Sequence, residues 1–353
     1  MPEGPNLFEQ QNANKRRSRL LVIGFVLFFA WLGFGGDWIF SLYTASAEPG
    51  EYRHSLPLFG LALSAIAIGL ATYAWKTGPQ KVLWAAGARE IQAADTAEER
   101  QLVNVVEEMA VAAALPRPRI FVVPDADPNA FATGRDEATA CVAVTQGLLG
   151  LLSRDELQAV IAHEMGHVKN LDVRLMTLLA SLVGAVALIQ EGMGRMLRGG
   201  MRVGGRGGGG GAASGSRSGK KGGGAGPVIV VLLALWLISW ILAPLITRVL
   251  ALGVSRKREY LADAMSAQFT RNPAALASAL AKIEGVHAPT ASIKSGSAHL
   301  CIADPLGRKV SSKEGWLADL LGTHPPMPVR IARLKGMAYQ DTKRSAQLAS
   351  AAS

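Results

Sequence analysis

The stretch His163-Glu164-Met165-Gly166-His167 places two imidazoles four residues apart, with a carboxylate beside the first. On an α-helix, positions i and i+4 project from nearly one face. His163 and His167 can therefore hold one ion between them while Glu164 stands about 100° round the axis. The chemistry that fits is hydrolysis by a metal-activated water, with Glu164 as the base. A catalytic zinc also needs a third protein ligand and an open position, because a fourth ligand closes the site. The best candidate is Glu259, in the helix-competent segment 255–267. Asp263, one turn further on, is placed to accept the outer N–H of His163 or His167 and fix its tautomer. Taken alone, the Glu259/Asp263 pair reads as a solvated face beside Arg256, Lys257 and Arg258. The histidines alone could be hydrogen-bonded core residues. Burying two imidazoles and a carboxylate together without an ion is costly, however, and one Zn2+ per chain is the expectation.

These residues need elements to hold them. Ser153 and Glu156 form a capping-box signature, and the helix they open carries Leu157, Ile161, Met165 and Val168 on one apolar stripe. Upstream, 97–114 reads as a helix stopped by Pro116 and Pro118, and 119–123 reads as a short strand. Residues 129–149 read as two extended stretches around a turn at Gly134, leading into a helix. The 129–145 hairpin can offer an edge to an extended peptide through main-chain hydrogen bonds. Asn129 either contacts a substrate carbonyl or shapes the chain locally, and Asn129 and Phe131 are the candidate substrate-binding residues. Asn170 and Asp172 either brace the histidine helix or, for Asp172, cap the next one.

The chain has 353 residues, 49% of them hydrophobic, and a formal net charge of +10. The apolar residues cluster in charge-free runs, which points to a membrane protein. The order expected is a basic cytoplasmic N-terminus (1–19), membrane helices at 20–36 and 55–75, the first part of a catalytic domain (77–172), a third membrane helix (174–190), a flexible linker (199–226), a fourth membrane helix (227–250), the second part of the catalytic domain (254–338) and a tail (339–353). Lys15, Arg16, Arg17 and Arg19 hold the N-terminus inside, and the loop with Asp37, Glu48 and Glu51 then faces outward. The linker holds fifteen glycines in 28 residues and cannot build a core. If both later runs cross, its basic residues lie outside, against the positive-inside tendency; the other arrangement is a non-spanning hairpin.

Four motifs, NAFATGR at 129–135, HEMGHVKNLD at 163–172, REYLAD at 258–263 and THPPMPVRIARL at 323–334, resemble the HtpX family of membrane-bound zinc metalloendopeptidases, relatives of the CAAX prenyl endopeptidases. The likeness runs from the first apolar run to about residue 338; the glycine-rich linker and the tail depart from it. The resemblance implies a mainly α, membrane-anchored fold with a small β-sheet, a zincin-like catalytic domain of gluzincin type and about four membrane helices. It implies His163, His167 and Glu259 as zinc ligands and Glu164 as catalytic acid/base. It also sets His324 near the cleft, where it is nominated as the catalytic oxyanion donor; a structural histidine beside Pro325 and Pro326 is the rival. The implied setting is the bacterial inner membrane, multi-pass, with the site facing the cytoplasm. The implied substrates are membrane proteins and unfolded polypeptides, handled as quality control under stress.

Other functions find little support. Gly219-Lys220 is followed by Lys221, where a phosphate-binding loop needs Ser or Thr. No nucleic-acid module or aromatic interleaving is present, and the basic balance suits an anionic bilayer surface. Cys141 and Cys301 stand alone and read as buried thiols. Arg154, Asp155, Glu156 and Lys169 flank the histidine motif, against cleavage inside the membrane. The alternative of another class is a non-catalytic, zinc-stabilised membrane scaffold, in which Glu164 is dispensable.

Overall fold

In the computed structural model, residues 7–45, 49, 51–184, 256–286, 300–303 and 325–352 are described. Within these, the parts belonging to Met1–Leu21, Tyr73–Ser181 and Val249–Ser353 form one compact unit, and those of Val22–Thr72 and Leu182–Arg248 another.

The first unit is built on a four-stranded sheet, β1 (Arg89–Glu90), β2 (Arg119–Val123), β3 (Ala130–Thr133) and β4 (Cys141–Thr145), in the order β1-β2-β4-β3. β2 and β4 run parallel, whereas the two outer pairs are antiparallel, and Phe131 lies opposite Ala143 in the β3–β4 hairpin. Both faces are covered, so β2, β3 and β4 read as largely apolar runs rather than alternating ones. On one face Ile120, Val122, Ala130, Ala132, Val142 and Val144 meet the helical core. On the other, Phe121, Phe131 and Ala143 meet Val82, Leu83, Met176 and Leu179.

Helices α3 (Ala97–Ala113), α4 (Gln146–Leu151), α5 (Arg154–Lys169), α6 (Arg256–Thr270), α7 (Pro273–Gly285) and α8 (Met327–Ala352) complete this unit. α5 is its central rod and lies against α3, α6, α7 and β3. Its start is the capping box read from the sequence: Ser153 accepts from the Glu156 backbone, and Glu156 accepts from the Ser153 backbone. Gly166 lets α6 come close, since a Cβ there would stand 3.2 Å from Ala262 Cα.

Two helices, α1 (Leu7–Thr44) and α2 (Leu58–Ala85), are long and apolar enough to cross a membrane. Both exceed the expected spans of 20–36 and 55–75. α1 starts within the segment expected as a separate N-terminus and continues past Asp37, which was expected in an outward loop. Within the second unit, Asp37 is buried and accepts from Phe59 N (3.1 Å), Gly60 N (2.6 Å) and His54 (2.7 Å), so it caps the α2 N-terminus. Residues 172–184 are helical, while the rest of the third expected span, the linker and the fourth span lie outside the described residues. Among the described residues two helices are membrane-capable, and the fourth expected span and the second half of the third are not among those residues.

Candidate metal centre

His163 and His167 sit one turn apart on α5 with ring centroids 4.8 Å apart, and Glu259 enters from the first turn of α6. The Nε2 of His163 lies 3.7 Å from Glu259 Oε2, and the Nε2 of His167 lies 3.5 Å from Oε1. One ligand atom from each of the three residues falls within 4.8 Å of the others, and all three are buried. Metal–ligand bonds of about 2.1 Å in tetrahedral array separate ligand atoms by roughly 3.4 Å, so the cluster fits a zinc-sized ion with little movement.

Each histidine turns its other nitrogen to a carboxylate. The Nδ1 of His163 is 3.0 Å from Asp263 Oδ1, and that of His167 is 3.2 Å from Asp172 Oδ2. Outer carboxylates of this kind fix the tautomer that leaves Nε2 free to bind metal. Burial holds His163 below the usual imidazole range. His167 is raised, because Asp172, Glu259 and Glu164 outweigh its burial. A pocket so rich in carboxylates calls for positive charge, which is what a divalent cation brings.

Glu164 is 1% exposed, and neither of its carboxylate oxygens has a well-formed hydrogen bond. Burial pushes its carboxyl up to about 7, the range that suits a group which must both take and give a proton. The Ala132 backbone on β3 acts the other way and favours the charged form.

Sequence reasoning missed Arg330, on α8 inside the fourth motif. It is fully buried and grips Asp263 with both Nε (3.0 Å) and Nη2 (2.7 Å), while Nη1 donates to Ile302 O at 3.1 Å. Its guanidinium also lies 3.4 Å from Glu259 Oε2 and 3.5 Å from His163 Nε2. Arg330 outweighs burial and holds the Asp263 carboxyl down at about 2, so Asp263 stays an acceptor for His163. Its neighbours in sequence give no signal of this, since Val329 beside it is 44% exposed.

Other candidates are placed differently. Asn129 is fully buried; its amide donates to Ala303 O (3.0 Å) and its Oδ1 accepts from Ala130 N (3.1 Å). These bonds fasten β3 to residues 300–303. Phe131 points into the sheet's second core, away from α5. Asn170 caps α5, and its amide contacts Met265 Sδ at 3.2 Å. His324 lies outside the described residues.

Residues 96–338 match the family described as Peptidase family M48. A protein named Protease HtpX homolog from Tropheryma whipplei (strain TW08/27) is 42% identical over 232 residues, 66% of this chain and 70% of its own length. One of the same name from Streptococcus gordonii is 35% identical over 331 residues, 94% of this chain and all of its own. Among solved structures, S. mikatae Ste24p is similar with a TM-score of 0.39 at 17% identity, covering 90% of this chain and 66% of that one. With its histidine pair and Glu259 brought together around a buried carboxylate, the chain belongs to peptidase family M48, as an HtpX homologue, and is a metalloprotease.

Proposed function

We propose that this metalloprotease is a membrane-anchored, zinc-dependent endopeptidase that cuts cytoplasmic regions of membrane proteins, chiefly misfolded or damaged ones. The observation that carries the zinc reading is the division of labour at the histidines. Both Nε2 atoms face Glu259, while each Nδ1 stands beside a carboxylate, 3.0 Å from Asp263 for His163 and 3.2 Å from Asp172 for His167. Two imidazoles and one carboxylate leave a fourth position for water, the pattern of a catalytic zinc rather than a closed structural one.

His163, His167 and Glu259 would hold one zinc, which when bound acidifies water and polarises the scissile carbonyl. Glu164 takes the water proton and returns it to the leaving amine. Its burial supports that role, because desolvation raises its basicity and leaves its protonated form accessible near neutral pH. Asp263 and Asp172 keep the imidazoles in register, and Arg330 keeps Asp263 ionised. His324 is proposed as the oxyanion donor from its place in the fourth motif.

The substrate backbone would pair with the outer edge of β3. Residues 300–303 already occupy part of that edge, through Ile302 N to Ala130 O (2.9 Å) and the Phe131–Cys301 bridge. Next along β3, the Ala132 backbone meets Glu164. Main-chain pairing there favours unfolded segments over side-chain motifs. Anchoring by α1 and α2 would concentrate the site against loops of neighbouring membrane proteins at the inner membrane.

The test uses the purified full-length chain. It should hold about one zinc and cleave casein, and Glu164→Gln should keep the zinc and lose cleavage by at least about 100-fold. Substantial cleavage by that variant, or none by the zinc-loaded parent, refutes the reading.

A further inference from the structure

We propose that Asn14, ahead of the first hydrophobic run, is a positioning residue of the metal centre that acts through Asp172 on His167; this rests on the zinc reading above. Asn14 stands beside Lys15, Arg16 and Arg17 in a segment that looks solvated, yet it is only 3% exposed. Its Nδ2 donates to Asp172 Oδ1 at 2.8 Å and to Asn170 O at 2.9 Å. Both partners are pure acceptors, so both amide hydrogens are used and the amide orientation is fixed.

Asp172 is fully buried and divides its oxygens: Oδ1 accepts from Asn14, and Oδ2 faces His167 Nδ1 at 3.2 Å. A carboxylate held at one oxygen cannot rotate about its own axis without breaking that bond, so Asn14 fixes where Oδ2 points. Arg258 supplies a competing pull. Arg258 Nη1 is 3.7 Å from the same Oδ1, and the Arg258 Nε and Nη1 have no hydrogen-bond partner. Without Asn14, Asp172 can turn toward Arg258 and draw Oδ2 away from His167.

The neighbouring Gln11 supplies a control. Its Nε2 donates to Lys169 O at 2.7 Å, docking the same helical turn near the α5 end without touching Asp172. Loss of simple docking and loss of carboxylate orientation are therefore separable.

The experiment measures zinc affinity by chelator competition on the full chain in detergent, in a Glu164→Gln background that stops self-cleavage. The thermal midpoint of the zinc-free protein is recorded alongside. Removing an outer carboxylate partner typically weakens metal binding 10–100-fold, so loss of the group that holds that carboxylate should weaken it about three- to tenfold. Asn14→Asp keeps the shape but opposes a second carboxylate to Asp172; if it does not accumulate, Asn14→Leu decides. Gln11→Ala should leave zinc affinity unchanged. Unchanged affinity in the Asn14 variants with a lowered zinc-free midpoint makes Asn14 a packing residue and overturns the proposal. Equal weakening by Gln11→Ala overturns it too. A parent that binds no zinc refutes the zinc reading itself and takes the proposal with it, whereas a zinc-binding parent insensitive to Asn14 refutes the proposal alone.

Discussion

Arg330→Met tests the claim that the centre's outer layer is held by one buried cation. Arg330 is fully buried and Asp263 is 3% exposed, so neither can replace its lost partner with water. The substitution removes two charged hydrogen bonds to Asp263, at 2.7 and 3.0 Å, and the bond to Ile302 O at 3.1 Å. Breaking a buried pair by deleting one partner costs about 3–5 kcal/mol, mostly because the survivor is left charged and dry. Roughly 2–4 °C per kcal/mol applies to a domain of 150–250 residues, so the zinc-free midpoint should fall by about 6–20 °C. Arg330→Lys should recover only part of this, since one ammonium cannot reproduce the two-point grip on Asp263. Asp263→Asn combined with Arg330→Met removes the stranded charge, and the pair should cost about 2 kcal/mol less than the sum of the single changes. Thermal unfolding of the solubilised chain with a chelator present measures the parent, Arg330→Met, Arg330→Lys, Asp263→Asn and the double variant. A loss below about 1 kcal/mol for Arg330→Met, or strict additivity in the double variant, refutes the reasoning.

Glu156 gives a pH dependence. Burial raises its carboxyl, but Lys282, Ser278 and Ser153 outweigh burial and hold it at about 2. A carboxyl held below its free value contributes stability that is complete above about pH 4.5 and lost as the pH falls toward 2. The full shift corresponds to about 3 kcal/mol, which the exposure of Lys282 reduces to about 1–2 kcal/mol. Wild type should therefore out-stabilise Glu156→Gln at pH 6 and lose that margin on acidification; a margin independent of pH contradicts this. Gly166→Val would drive a side chain into Ala262 Cα and Met265 Cβ, which lie 3.2 and 3.3 Å from a Cβ at that position. Parting α5 from α6 carries Glu259 away from the histidines, so stability should fall by about 1–3 kcal/mol along with zinc retention. Normal zinc retention would show that the helices do not set the ligand distance. The Cys141 thiol is pushed up to about 11 by burial, and Cys141 and Cys301 are both buried and free. A maleimide should label neither in the folded protein and both after denaturation, and rapid labelling of the native chain would be the contrary result.

What could be read in the sequence divides by range. The α5 start, the i, i+4 histidines and the β3–β4 hairpin are local, because a capping box, a helical period and a glycine turn are written within a few residues of the structure they make. Glu259 came from chemistry rather than pattern: two ligands do not complete a zinc, which sends the search to a distant carboxylate pair. The parallel pairing of β2 with β4 was out of reach, since no local signal records which strands meet. The direction of the Phe131 side chain is legible in the sequence. Side chains alternate along a strand, so if Ala130 and Ala132 face the helical core, Phe131 must face away from it. Asn129 was weighed evenly between substrate and structure, and the structure gives its amide to residues 300–303.

The residues that sequence reasoning could not find share a position relative to the motif. A histidine has two nitrogens, and a short motif specifies only the spacing that turns one from each ring toward a common point. The other nitrogen is set by whatever the rest of the chain brings up behind it. Behind His163 stand Asp263 and then Arg330 from α8; behind His167 stand Asp172 and then Asn14 from α1. Each chain of contacts ends on a residue whose own neighbours in sequence give no sign of burial or partner, because its environment exists only after folding. Substitutions at these outer positions should therefore disturb metal binding while leaving the His-Glu-Met-Gly-His stretch itself intact.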